Sequence, residues 1–534
     1  MSITSFPFFF FVCAVLLVYF LVPGRFQWIV LLAASCAFYL SFGAKYILYV
    51  LFTATSVYFA ARGIQRIADE QRAFLKGEGR TLEREEKNAY KARNQKRKKR
   101  LMLCALLANL LVLGVFKYAD FLLDQLNALL GIFGAGLIRD RLNLIAPLGI
   151  SFYTFQMIGY LLDVYWGNAE AEKNWAKTLL FCSFFPQMTQ GPISEFGQLS
   201  EQLFAEHAFS YRSYSWGMQR LVWGFFKKMV IADALAPLVK DVFANYPHYT
   251  GLTTLIGAFL YSVQIYADFS GYMDIMCGLC EVMGIRLTEN FDRPYFSKSV
   301  AEYWRRWHMS LGSWFKRFIY YPIGISKWSR SLGKACREKL GRKFGDMLPA
   351  SIALVVVWLA TGLWHGASWA YIVWGLVNGL FIILGLWLDP VYAACRRALR
   401  IDESSRLWQA FQTLRTFVLV TFIKVLPEVG TLSDGWGLWK RIFTDHELPR
   451  TLRRLLPFLD WSSLFTLSHF AMAMLGTACL FCFSLIERRR PVRSITEKWP
   501  MPLRAAALGA LFFLIFTFGI QNSWEGGGFL YAQF

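Results

Sequence analysis

Apolar runs recur along the whole chain, and they constrain it more than any single residue does. Residues 7–23, 27–42 and 46–61 come first. Runs at 101–116, 348–364 and 371–388 follow, and 417–426, 469–486 and 504–520 complete the series. About 20 apolar residues in helical conformation cross a ~30 Å hydrocarbon core. Several of these runs are shorter, so tilt, re-entry or burial within protein is expected for them. The fold class that follows is all-α: a polytopic transmembrane protein of roughly 11–14 helices, some of them re-entrant. Charged residues make up only 17% of the chain, against about 25% in soluble domains.

The formal net charge of +21 invites a nucleic-acid reading, but its distribution argues against one. The basic residues fall between the apolar runs. KARNQKRKKR (91–100) holds seven Lys/Arg in ten positions, and further basic stretches run from Lys327 to Lys343 and through ERRRPVR (487–493). Such loops stay in the cytoplasm by the positive-inside rule and also attract anionic lipid headgroups. Three helices before residue 62 then put the N-terminus outside the cytoplasm. The first run has no basic segment ahead of it and no small-residue cleavage site behind it, so it is expected to be a retained helix. Cys277-Gly-Leu-Cys280 and Cys479-Leu-Phe-Cys482 have metal-pair spacing. Both lie in apolar helical sequence, where cysteine packs as a small hydrophobe, and no metal site is expected.

A middle block carries polar residues inside apolar sequence. PLGISFYTFQMIGYLLDVY (147–165) and YSVQIYADFSGYMDIMCGLCEVMG (261–284) do so, the latter with Gln264, Asp268, Ser270 and Asp274. FFPQMTQGPI (184–193) has two prolines and a glycine, and Gln187 and Pro192 are expected to shape a re-entrant turn. Irregular or polar backbone at that depth survives only inside protein or beside a water-filled cavity.

Two of the chain's six histidines stand in this block within Trp-rich apolar sequence, 57 positions apart. His308 lies in YWRRWHMSLGSWF and His365 in WLATGLWHGASWAYIVW. Ser299-x-x-Glu302 is a capping-box pattern. From it a single amphipathic helix is expected, with His308, Gly312 and Phe315 on one face and Trp307, Leu311, Trp314 and Phe318 beside them. Arg305 and Arg306 are candidates to dock donor phosphates, with membrane anchoring as the plainer reading. Pro294 is expected to break the chain before this helix. His365 sits between Gly362 and Gly366, where small residues allow close helix approach and leave room beside the imidazole. Asp268 and Asp274 either tie helices together or line the site. Asn290, Tyr295, Gln187, Trp307 and Trp364 are further lining candidates.

A histidine held neutral by burial can act as general base near pH 7. It would take a proton from an alcohol attacking a carbonyl, the chemistry of acyl transfer to a hydroxyl. No G-x-S-x-G elbow, P-loop or dinucleotide fingerprint accompanies it, which favours direct transfer over a covalent serine intermediate.

The order PLGISFYTFQMIGYLLDVY, FFPQMTQGPI, QIYADFSGYMDI, ENFDRPYFSKSVAEYWRRWHMSLGSWFKRFIYYPIG and TGLWHGASWAYIVWG resembles the membrane-bound O-acyltransferase (MBOAT) family, and within it the bacterial alginate O-acetyltransferase branch. The ending FLYAQF (529–534) is also similar to that branch, although Ala532 stands where an aromatic is usual. The loop after His308 is poorer in glycine and asparagine than in many relatives. The resemblance implies a ring of tilted and re-entrant helices around a central cavity. It also implies one integral membrane domain over 1–534, with N-terminal helices in 1–142 (including a basic cytoplasmic loop, 62–100), a catalytic core in 143–390 and C-terminal helices in 391–534. It gives His365 the role of catalytic base and His308 that of a second functional residue. An acyl thioester such as acetyl-CoA would be the co-substrate, with no permanently bound cofactor. The implied partners are an extracytoplasmic acetyltransferase and a glycan acceptor, and the implied location is a bacterial plasma membrane. Two other readings stay open: D-alanyl transfer to teichoic acid from a carrier protein, and a polysaccharide transporter without chemistry. A transporter is expected to carry inverted repeats, and the sequence has none.

Overall fold

The computed structural model describes residues 1–134, 141–448, 450–451 and 464–520. The terminal FLYAQF and part of the C-terminal helices expected over 391–534 lie outside the described residues. The described residues are helices and turns, with an isolated antiparallel bridge between Phe291 and Trp307. Among the described residues, seven helices are long and apolar enough to cross a membrane: Ala44–Lys76, Arg84–Ile132, Gly251–Val282, Arg342–His365, Trp369–Trp387, Leu467–Ile486 and Met501–Phe518. Phe6–Leu21 and Gly24–Leu40 are shorter apolar helices. The protein is a multi-pass all-α membrane protein.

The chain divides into two compact units. One comprises Met1–Tyr214 and Cys280–Thr288, the other Ser215–Leu279 and Glu289–Phe534. In the first, Ser5 caps Phe6–Leu21 by accepting from the Phe8 N–H, one of the donors a helix start leaves orphaned. Arg84–Ile132 is 49 residues long, about 74 Å at 1.5 Å per residue, more than twice the hydrocarbon thickness. Its excess length is the basic half, begun by a capping box between Glu83 and Glu86. Part of the basic stretch expected as a loop over 62–100 is therefore the continuation of a long apolar helix. The Gln27 amide ties this unit together, donating to the His207 carbonyl at 2.8 Å and accepting from the His207 N–H at 2.8 Å. The segment FFPQMTQGPI folds into a tight turn. Phe185–Met188 is a single helical turn, Gln187 Nε2 donates to the Pro192 carbonyl at 2.9 Å, and a Cβ at Gly191 would collide with the Gln187 backbone.

In the second unit, glycines set the helix spacing. A Cβ at Gly224 would lie 2.7 Å from the Gly271 carbonyl oxygen, and one at Gly278 would lie 2.6 Å from that of Gly217. Tyr211–Phe225 and Gly251–Val282 thus pack backbone to backbone, as small residues permit in membranes. The first of these helices passes into a π-helical turn, Phe226–Ala232, which aims two consecutive lysines at the second. Lys227 Nζ meets Asp274 at 2.6 Å and donates to Ser270 Oγ at 2.9 Å. Lys228 Nζ meets Asp268 at 2.7 Å and Asp233 at 2.9 Å. Arg220 reaches Asp274 at 2.8 Å and clasps Glu289 with two bonds of 2.6 Å. Burial lifts the Asp233 carboxyl to about 7, against the pull of Lys228. Buried charges demand such pairing, and breaking one pair costs ~3–5 kcal/mol.

Candidate active site

His365 is the last residue of Arg342–His365, and Gly366, Ala367 and Ser368 turn the chain into Trp369–Trp387. Ser368 caps the second helix by accepting from the Tyr371 N–H. The hairpin closes tightly because its contact residues lack side chains. A Cβ at Gly362 would stand 2.5 Å from the Tyr371 carbonyl oxygen, and one at Gly375 would strike that of Trp358. The His365 ring is 5% exposed. Trp374 meets it edge-on at 4.8 Å, Trp364 at 4.9 Å, and Tyr371 lies parallel to it at 6.4 Å. The small residues around His365 thus serve the close approach the sequence suggested.

His308 is mounted differently, and here the sequence expectation is corrected. No single helix runs from Ser299 through Phe315. Val300–Arg306 ends, Trp307 is extended, and His308 adopts a left-handed conformation (φ 48°, ψ 53°) before Met309–Phe315 begins. The cause is a pairing that helical periodicity cannot reveal. Asp292 N–H donates to the Arg306 carbonyl at 3.0 Å, and Met309 N–H to the Asn290 carbonyl at 3.0 Å, on either side of the Phe291–Trp307 bridge. The capping box is half realised. Ser299 Oγ accepts from the Glu302 N–H, while the Glu302 carboxylate accepts from the Lys298 N–H rather than from that of Ser299.

Asn290 fixes the chemistry of His308. Its Oδ1 accepts from the Ser310 N–H at 3.0 Å and the Ser310 hydroxyl at 2.9 Å, and it lies 3.2 Å from His308 Nδ1. An oxygen that accepts a backbone N–H can only be an acceptor toward the imidazole. His308 therefore carries its proton on Nδ1, and its Nε2 keeps the lone pair. Burial holds this imidazole neutral by pushing it down to about 3.

Trp364 brings the two histidines together. Its ring lies 4.9 Å from that of His365 and 5.8 Å from that of His308. Phe269 closes on His308 edge-on at 4.9 Å. All four side chains are buried. Trp304 links the mounts from behind, donating from Nε1 to Asn378 at 2.9 Å and meeting Trp374 at 5.5 Å.

The other sequence candidates separate. Trp307 and Asn290 belong to the His308 mount. Asp268 and Asp274 sit in the lysine and arginine pairs, which supports their helix-tying reading. Arg306 pairs with Glu302 at 2.7 Å, and Arg305 is exposed. Pro294 opens a short 3-10 turn, Pro294–Phe296, ahead of the helix. Gln187 lies in the other compact unit. The sequence reading passed over Lys227, Lys228, Asn378 and Lys424. A lysine inside an apolar run was the available signal for the last.

Comparison with known proteins bears on this arrangement. Residues 173–335 match the model of the membrane-bound O-acyltransferase family. The chain is 33% identical to the "Probable alginate O-acetylase AlgI" of Azotobacter vinelandii, over 91% of this chain and 83% of that protein. It is 30% identical to the "Peptidoglycan O-acetyltransferase" of Helicobacter pylori, over 66% of this chain and 63% of the relative. It is 28% identical to the "Teichoic acid D-alanyltransferase" of Streptococcus thermophilus, over 56% of this chain and 72% of the relative. The chain is an O-acyltransferase and belongs to the membrane-bound O-acyltransferase family.

Proposed function

We propose that the protein moves an acetyl group from a cytoplasmic thioester, acetyl-CoA or an acyl carrier, to a hydroxyl for O-acetylation of an extracytoplasmic polysaccharide. The observation that carries this is the Trp364 ring, which contacts both His308 and His365 in one buried aromatic cluster. His365, the base by family resemblance, takes the hydroxyl proton. The alcohol oxygen attacks the thioester carbonyl, the C–S bond breaks, and the leaving thiolate takes the proton back from the imidazolium. His308, neutral and with its lone pair on Nε2, accepts a hydrogen bond from the hydroxyl and so orients it. Arg305, exposed on Val300–Arg306, is the candidate for a donor phosphate.

The basic half of Arg84–Ile132 sets the direction of insertion. It is cytoplasmic by the positive-inside rule, so the N-terminus faces outward in a bacterial plasma membrane. A separate extracytoplasmic acetyltransferase would receive the acetyl group, and the glycan would be the final acceptor. D-alanyl transfer from a carrier protein is the second reading, favoured by the similarity to the teichoic acid enzyme. Thioester cleavage by purified protein in nanodiscs decides. Turnover of acetyl-CoA that falls about 10²–10⁴-fold in His365→Ala, the range general-base catalysis supplies, supports the proposal. Equal turnover in wild type and His365→Ala contradicts it. Turnover with a D-alanyl carrier and none with acetyl-CoA favours the second reading.

A further inference from the structure

Lys424 ends the helix Arg406–Lys424 and is 6% exposed, yet no carboxylate reaches it among the described residues. Aromatic rings surround it instead. Its ammonium stands 3.8 Å from the centre of the Trp307 ring, 4.8 Å from that of Tyr295 and 5.1 Å from that of Tyr303. It donates to the Tyr295 hydroxyl at 2.8 Å, and that hydroxyl donates to the Ser262 carbonyl. Tyr303 stacks on Tyr295 and on Trp307. The caging rings lead up to the break in the helix and end in it. Tyr295 precedes Val300–Arg306, Tyr303 lies in it, and Trp307 follows it, immediately ahead of His308.

A buried lysine is costly and needs compensation. Stacked aromatic faces compensate it, since a desolvated cation–π contact is stronger than an exposed one. The left-handed turn at His308 also carries a cost, as Cβ crowds the carbonyl there. One interaction set meets both needs. The ammonium grips the Trp307 face and, through Tyr295, anchors it to the Gly251–Val282 helix that carries Ser262.

We propose that Lys424 is a positioning residue for His308, its caged ammonium holding Trp307 and so the strained turn that aims the imidazole. This rests on the reading of His308 as part of the acyl-transfer site. It does not make Lys424 a group that touches substrate.

Two variants test it in the full-length protein. Lys424→Met keeps the stem and removes the charge. Lys424→Arg keeps a cation that stacks on Trp. In Lys424→Met, kcat for acetyl transfer falls about 10²-fold, the penalty for a ~1 Å misplacement, with KM for the donor unchanged. Lys424→Arg recovers most of that loss. Independently of turnover, diethylpyrocarbonate labelling of His308, mapped by mass spectrometry, becomes about tenfold faster in Lys424→Met because the turn opens more often. Unchanged labelling and kcat in a folded Lys424→Met protein overturn the proposal. So does a folded Lys424→Arg variant that recovers nothing. If the wild type shows no acyl transfer, the functional reading falls, and the labelling rates still decide the role of Lys424.

Discussion

The two histidines reach one aromatic cluster on opposite kinds of support. His365 ends a long helix in a hairpin whose geometry is backbone against backbone, with Gly362 and Gly375 leaving no slack. His308 sits on a left-handed turn between two short helices, and side chains hold it there: Asn290 at the imidazole, Trp307 and Lys424 behind. A mount made of backbone fails by unfolding. A mount made of side chains fails by loosening, and activity then goes before stability does.

That contrast predicts different damage at the two sites. Gly362→Val drives a branched side chain into the Tyr371 carbonyl and the Ile372 backbone. The expected loss is ~3 kcal/mol or more, at the upper end of overpacking costs, seen as a collapsed yield of folded protein in detergent size-exclusion chromatography. A normal yield would mean that the hairpin has room the structure does not show. Asn290→Ala strips one acceptor from three donors. Its stability cost is only ~1–3 kcal/mol, while transfer falls about 10²-fold because the imidazole is no longer aimed. A stability loss without a rate loss would reverse the account of the His308 mount. Gly366→Ala pushes its methyl into the Tyr371 ring that lies parallel to His365. A ring yields more readily than backbone, so ~1–2 kcal/mol is expected in thermal unfolding. A cost matching that of Gly362→Val would erase the distinction between the two contacts.

The smallest effect concerns pH. His308 titrates near 3 in the folded protein, against an ordinary 6.5. Between those values the unfolded chain binds a proton that the folded chain refuses. The stability tied to His308 is therefore complete above about pH 6.5 and drains away as pH falls toward 3. His308→Asn, a residue that tolerates the left-handed conformation, should flatten the fall in melting temperature between about pH 7.5 and pH 5. Parallel curves for variant and wild type would show that His308 is not held neutral.

The same contrast explains what the sequence made legible. The membrane class, the chain order of the motifs and the tight setting of His365 follow from local features: apolar runs, a basic loop, glycines spaced along one stretch. The break before His308 does not. Helical periodicity continues smoothly through YWRRWHMSLGSWF, and what overrides it is Asn290, eighteen positions upstream, with the bridge from Phe291 to Trp307. The aspartates were ambiguous for the same reason. Asp268 and Asp274 advertised a polar site, and only the fold brings Lys227, Lys228 and Arg220 to them. Lys424 stood out as a charge in an apolar run, but only the fold brings Tyr295, Tyr303 and Trp307 to it.

In the proposed reaction His308 and His365 act in one site despite their different mounts. The most direct measurement is acetyl-transfer turnover in His308→Ala, His365→Ala and the double variant, each verified as folded. Groups that act as a unit are non-additive. A double variant no slower than the worse single variant is expected. Losses that multiply would place the two histidines in separate steps and contradict it.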